Sequence, residues 1–185
     1  MRKTDVVALF DYNYWANRQV LAAADQASDE EFTAPTEVTW RTIRGTLVHT
    51  LDVERSWRGR LRGEPRESWD NELPEEDYPT ARALAERWDR DEAEMRSWLD
   101  ELDDAELASV VDLGPKDRFP LWYFLIHIIT HSAQQRRDAA ILLTNSGHPP
   151  SELEFLEYAD WLQERGDTGA STGPRSGVSG PIRPR

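Results

Sequence analysis

The stretch Phe119 to Gly147, FPLWYFLIHIITHSAQQRRDAAILLTNSG, combines the densest run of large apolar residues in the chain with His127, His131 and Gln135 at i, i+4 and i+8. On a helix advancing about 100° per residue, these three polar residues fall within an arc of roughly 80°. Leu121, Phe124, Ile128, Ala139 and Leu142 lie in or beside the same sector. The spacing therefore predicts a helix over 120–145 whose imidazoles point into the core. A buried imidazole needs a hydrogen-bond partner or a metal, because each unpaired ring nitrogen costs about 1–3 kcal/mol. Pro120 suits the first turn of this helix, where its missing N–H is no loss, and Asn145-Ser-Gly147 supplies the stop.

Working back from this helix, three more amphipathic segments come into view. Thr4 to about Gln26 carries Val7, Phe10, Tyr14, Asn17 and Leu21 at steps of three and four. Within it, Tyr12-Asn-Tyr-Trp15-Ala-Asn17 sets aromatics beside an amide on nearby turns, a pattern that suits core packing plus a polar bridge between helices. Ser28-Asp-Glu-Glu31 has the form of a capping box. Thr39 or Thr42 is placed to cap a second helix reaching about Arg62, with Ile43, Leu47, Val53, Trp57 and Leu61 on its apolar side and His49 at the edge of that side. The segment Glu64 to Pro79 is acidic and turn-rich, so it reads as a connection across the bundle end.

Thr80 opens a third helix to about Leu102, with Leu84, Trp88, Met95, Leu99 and Leu102 as its stripe and Glu86, Arg87, Arg90, Asp91 and Glu94 as solvated charge. Ser109 to Gly114 reads as a brief extended piece. Downstream, Ser151-Glu-Leu-Glu154 has the form of a second capping box, opening a short helix with Leu153, Leu156, Tyr158 and Trp161. The expected fold is all-α, an up-down four-helix bundle with one wide crossover and a short C-terminal helix. Residues 1–165 form the bundle domain, and the Gly/Pro/Ser-rich residues 166–185, with almost nothing to bury, form a disordered tail.

Composition narrows the functions open to such a bundle. There is no cysteine, which excludes disulfides, thiolate metal sites and cysteine nucleophiles and fits a reducing cytoplasm. A formal charge of −13 repels phosphate backbones, so nucleic acid is not an expected partner. The N-terminal residues lack the unbroken apolar core of a signal peptide, because Asp5, Asp11 and Asn13 interrupt it, and no run reaches membrane-spanning length. A soluble cytoplasmic protein is expected. Eight tryptophans exceed what one small core readily buries, which points to an interface between copies.

Three sequence features together resemble the DinB (DNA-damage-inducible, YfiT-like) family of four-helix-bundle proteins, over about residues 4–160. They are Tyr12-x-x-Trp15-Ala-Asn17, then Ile43-Arg-Gly-Thr-Leu-Val-His49-x-Leu-Asp52-x-Glu54-x-x-Trp57, and finally Leu125-x-His127-x-x-x-His131-x-x-x-Gln135-Arg136 with Leu142-Leu143 and Gly147-His148. The resemblance implies a divalent metal, nickel or zinc, held by His49 on the second helix and by His131 and position 135 on the fourth. It also implies a homodimer and a role in stress responses.

Position 135 departs from the family pattern, having Gln135 where most relatives have histidine. An amide oxygen is a weaker and harder donor than imidazole nitrogen, so the metal is expected to bind weakly or not at all. Three readings stay open. The centre is His49, His131 and Gln135; or His127 joins His131 as a substitute ligand; or the metal is lost and the cluster is a hydrogen-bonded relic or a small-molecule pocket. Asp52, Glu54 and Asp138 lie near the ligand level, where a carboxylate orients an imidazole or takes a proton. Tyr12, Trp15, Asn17 and Trp57 are the expected pocket walls. By resemblance the activity is that of a metal-dependent hydrolase, or of a transferase or isomerase acting with a low-molecular-weight thiol. The alternative is a non-catalytic, metal-free bundle that binds a ligand or serves as a dimeric stress-response protein.

Overall fold

In a computed structural model that describes residues 1–39 and 41–166, four long helices carry the fold. They are α1 (Lys3–Ala24), α3 (Ile43–Leu61), α5 (Ala81–Glu101) and α7 (Leu121–Asn145). Short helices α2 (Asp29–Thr33), α4 (Arg66–Trp69) and α6 (Asp104–Ala108) punctuate the connections. Strands β1 (Val110–Asp112) and β2 (Arg118–Pro120) pair antiparallel, with Val111 opposite Phe119, in a small hairpin just before α7. The extended piece expected after Ser109 is thus one arm of this hairpin. Except for Gly166, the tail expected over 166–185 lies outside the described residues.

Local chemistry explains most boundaries. Thr42 caps α3 by accepting from Gly45 N–H at 2.9 Å, and Thr80 caps α5 by accepting from Ala83 N–H at 3.1 Å. Reciprocal capping boxes join Ser28 to Glu31 and Asp103 to Glu106. Gly63 and Gly147 follow α3 and α7 with φ of 70° and 88°, the left-handed conformation that stops a helix at little steric cost.

Helix directions follow from side-chain pairings. Arg96 meets Asp11 and Arg18 meets Glu92, so α1 and α5 are antiparallel. Trp88 meets Glu54, and Asp91 and Glu94 meet Arg58, so α3 and α5 run parallel. His49 lies beside His131 while Trp57 lies beside Phe124, so α3 and α7 are antiparallel. The order is up-down-down-up, and the parallel neighbours α3 and α5 are joined by the long 62–80 connection.

The core takes Phe10, Tyr14 and Val20 from α1, Leu47 and Leu51 from α3, Leu84, Trp88 and Met95 from α5, and Leu125, Ile128 and Leu143 from α7. Asp91 belongs to it too, contrary to the expectation of solvated charge: it is fully buried and ion-paired with Arg58 at 2.7 Å. A carboxylate tolerates that environment only with a charged partner of matching geometry, which the Arg58 guanidinium supplies.

Residues from Glu154 onward form a separate unit. Its described part is α8 (Phe155–Glu164), which begins after an extended Glu154 without a side-chain cap. The capping box expected at Ser151–Glu154 is not formed. Tyr158 stacks on Trp161 with ring centroids 6.0 Å apart, and Arg165 lies 4.8 Å from the Trp161 centroid.

Candidate functional site

Helices α3 and α7 bring His49 and His131 together, with ring centroids 5.3 Å apart and planes at 70°. Both rings are half-buried. His127, one turn before His131, is exposed rather than turned into the core; it stands 6.2 Å from His131 and meets the edge of Trp57 at 5.2 Å. The reason is angular: His127 lies at the α3-facing margin of a wide helix face whose centre is taken by Leu125, Ile128 and Ser132. Gln135 is half-buried one turn beyond His131.

Burial lowers the His131 pKa to about 4, helped by the neighbouring His49, His127 and Arg41 charges. It lowers the His49 pKa as well, with Arg41 next in effect. Both rings are therefore neutral near pH 7, the form that donates a nitrogen lone pair to a metal. Among the described residues, His131 Nδ1 is buried without a hydrogen-bond partner. Two imidazoles bound to one tetrahedral ion at about 2.0–2.1 Å have ring centroids about 5 Å apart, which the observed pair matches. Neutral rings, separation and an unsatisfied nitrogen fit a divalent metal. Among the described residues no group of three His, Asp or Glu side chains converges, so the Gln135 amide is the protein donor left to consider as a third.

His49 opens onto a cavity of about 810 Å³ whose other walls include Arg41, Arg44, Asp52, Glu72 and Glu75. Asp52 is committed inside this wall, accepting from Arg55 Nη2 at 2.9 Å and from Leu73 N–H at 3.2 Å. Asp138 is half-buried on α7.

Deeper between the helices lies a polar layer centred on Glu54, which is fully buried. Its Oε1 accepts from Asn13 Nδ2 at 2.9 Å, Asn17 Nδ2 at 3.3 Å and Ser132 Oγ at 2.6 Å, while Oε2 accepts from Trp88 Nε1 at 3.3 Å. The same two amides turn their oxygens to the buried Arg136, whose Nη1 donates to Asn13 Oδ1 at 2.5 Å and Asn17 Oδ1 at 2.7 Å. Glu54 and Arg136 are thus a buried charge pair relayed through two asparagines. Desolvation raises the Glu54 pKa, partly offset by the Ser132 and Asn13 hydrogen bonds.

The expected pocket walls are divided between these two places. Asn17 belongs to the polar layer, Tyr12 lies over Arg136 at 5.6 Å and donates to the Leu153 carbonyl at 2.7 Å, and Trp15 stacks beside Tyr12. Trp57 belongs to the histidine row, stacked on Phe124 at 5.5 Å. The sequence reading missed Asn13, Ser132, Trp88 and Arg136. The signal was the apolar spacing itself, because Leu47, Leu51, Glu54 and Arg58 recur at helical steps and the last two are charged.

A model of the DinB family matches residues 1–167. The chain belongs to the DinB family. No curated protein matches it. The match spans α1 to α8 and so contains the histidine pair, the polar layer and the cavity. Among the described residues of this DinB protein no helix is long and apolar enough to cross a membrane.

Proposed function

We propose that this DinB protein binds a divalent metal, nickel or zinc, through His49 and His131, with Gln135 as a weak third donor, and acts on a small molecule at the cavity beside His49. One observation carries the reading: two neutral, half-buried imidazoles face each other at 5.3 Å and one of their nitrogens lacks a protein partner. A divalent ion held by His49 and His131 would supply Lewis acidity that lowers the pKa of a thiol or water, which suits a thiol-dependent transferase or a hydrolase.

The chain's own residues have separable tasks in this reading. His49 and His131 hold the ion and exclude competing protons by their lowered basicity. Arg41, Arg44, Glu72 and Glu75 all line the cavity, with Arg44 paired to Glu75 at 3.7 Å, so a small polar ligand meets both signs of charge there. Trp57, with Phe124 and His127, closes the opposite side of the histidine row with aromatic surface. Assembly as a homodimer belongs to the same proposal, supported by exposed Val110, Phe119 and Tyr123 around the hairpin. Light scattering that shows a dimer at tens of micromolar supports it, and a strict monomer removes it.

Calorimetric titration of nickel and zinc into untagged protein tests the centre. Saturable one-to-one binding, lost in His49→Ala and in His131→Ala, is the expected result. Binding that survives both substitutions overturns it. Gln135 favours a second reading, a metal-free bundle that keeps the cavity for a ligand, because it withholds the third imidazole. Under that reading the wild-type protein shows no saturable heat with either metal.

A further inference from the structure

Ser132 follows His131 on α7, and its hydroxyl donates to Glu54 Oε1 at 2.6 Å, the short distance of a hydroxyl bound to an ionised carboxylate. Glu54 is meanwhile held from α1 by Asn13 and Asn17 and from α5 by Trp88. The carboxylate is therefore held by two other helices; α7 meets it directly through the Ser132 bond alone, and reaches the same two asparagines one turn later through Arg136. At His131 itself, Nδ1 makes no hydrogen bond, and the ring lies beside those of His49 and His127. One residue along a helix corresponds to about 1.5 Å of rise and about 100° of rotation, so the height and rotation of His131 are set by whatever fixes Ser132.

We propose that Glu54 and Ser132 are the positioning residues of the histidine pair: their hydrogen bond fixes the register of α7 against α3 and so sets His131 opposite His49. The consequence for metal binding rests on the reading above, whereas the juxtaposition of the two rings does not need a metal. Outer partners that orient metal-binding histidines usually bond the ring itself. Here the orienting contact acts on the neighbouring residue and leaves the ring nitrogen open.

The test has a metal-free arm and a metal arm, both on the full chain. With four histidines in the chain, ring-labelled protein in chelator gives a simple spectrum in which a ring-to-ring Overhauser cross-peak between His49 and His131 is expected. Ser132→Ala should lose or strongly weaken that peak, Ser132→Thr should restore it, and Glu54→Gln should behave like Ser132→Ala. In the metal arm, cobalt(II) alone is titrated and its visible d–d bands recorded. Ser132→Ala should weaken cobalt binding about ten- to a hundredfold and shift the bands, with recovery in Ser132→Thr.

Leu84→Val, in the core on α5 and outside the Glu54 layer, controls for general loosening and should keep both signals. The proposal is overturned if Ser132→Ala retains the wild-type cross-peak, if Ser132→Thr fails to restore it, or if Leu84→Val loses it as well. Absence of cobalt binding by the wild type counts against the metal reading alone, because the cross-peak still decides the positioning role.

Discussion

The Glu54 layer, drawn from all four long helices, and the histidine pair, set between α3 and α7, are both polar intrusions in the bundle, yet they are finished differently. Around Glu54 each carboxylate oxygen has a donor, and the amides that donate to it also accept from Arg136, whose Nη2 is buried without a hydrogen bond but does not line the cavity. At the pair, a buried nitrogen of His131 is left open, and His49 faces a cavity. A polar group satisfied by its own chain specifies packing, whereas one left without a hydrogen bond keeps its donor or acceptor for another partner. The contrast separates a carboxylate closed off by its own chain from a ring pair that keeps an open nitrogen, within one bundle.

The hardest way to break this comparison is to remove the hub. Glu54→Ala strands the Asn13, Asn17, Ser132 and Trp88 donors and leaves Arg136 without its relayed counter-charge, so about 3–5 kcal/mol of stability should be lost. Chemical denaturation measures it, and a loss below about 1 kcal/mol would show that the layer is not satisfied as described. Metal addition is the converse probe at the other region. Nickel at about a hundred times its dissociation constant should raise stability by about 2.7 kcal/mol in wild type and by nothing in His49→Ala or His131→Ala. Equal stabilisation of those variants would move the site elsewhere.

Sharper discrimination comes from Gln135→His, which should tighten nickel binding about tenfold, or about 1.4 kcal/mol, by adding an imidazole. His127→Ala, on an exposed ring, should leave affinity within about twofold. A reversal of those two outcomes in the same titration would exchange their roles. The smallest effect expected is in pH dependence. The Glu54 pKa is raised above its ordinary 4.5 by burial. Its contribution to stability is therefore full below that value and declines as pH rises through the folded-state value. Glu54→Gln does not titrate, so the stability margin of wild type over this variant should narrow as pH rises above about 4.5. Denaturation midpoints across that range check it, and a widening margin would give Glu54 the opposite sign.

Much of this architecture is legible in residue spacing. The periodicity predicts helices over 4–26, 42–62, 80–102 and 120–145, and the long helices fall within two residues of those limits. Thr42, Thr80 and Ser28 are readable as caps because a hydroxyl just before an apolar run has a simple local use. The partners of Arg58 and Glu54 are not readable in that way. A charged residue at a core step counts as surface until its complement on another helix is known, and Asp91 and Arg136 lie far away in sequence. Spacing and resemblance single out His49 and His131. The exposure of His127 is a tertiary outcome, fixed by how α3 covers the face of α7.

Because α3 and α5 run parallel, their macrodipoles reinforce at each end instead of cancelling, and their positive poles lie together. The connection between them brings its acidic run to the α3 pole: Glu75 lies so close to Gly45 that a Cβ there would meet its Oε1 at 2.7 Å, and Glu72, Glu75 and Glu76 line the cavity beside His49. The mouth of that cavity is thus held by a field as much as by packing, and a field, unlike a packed core, weakens as salt is added.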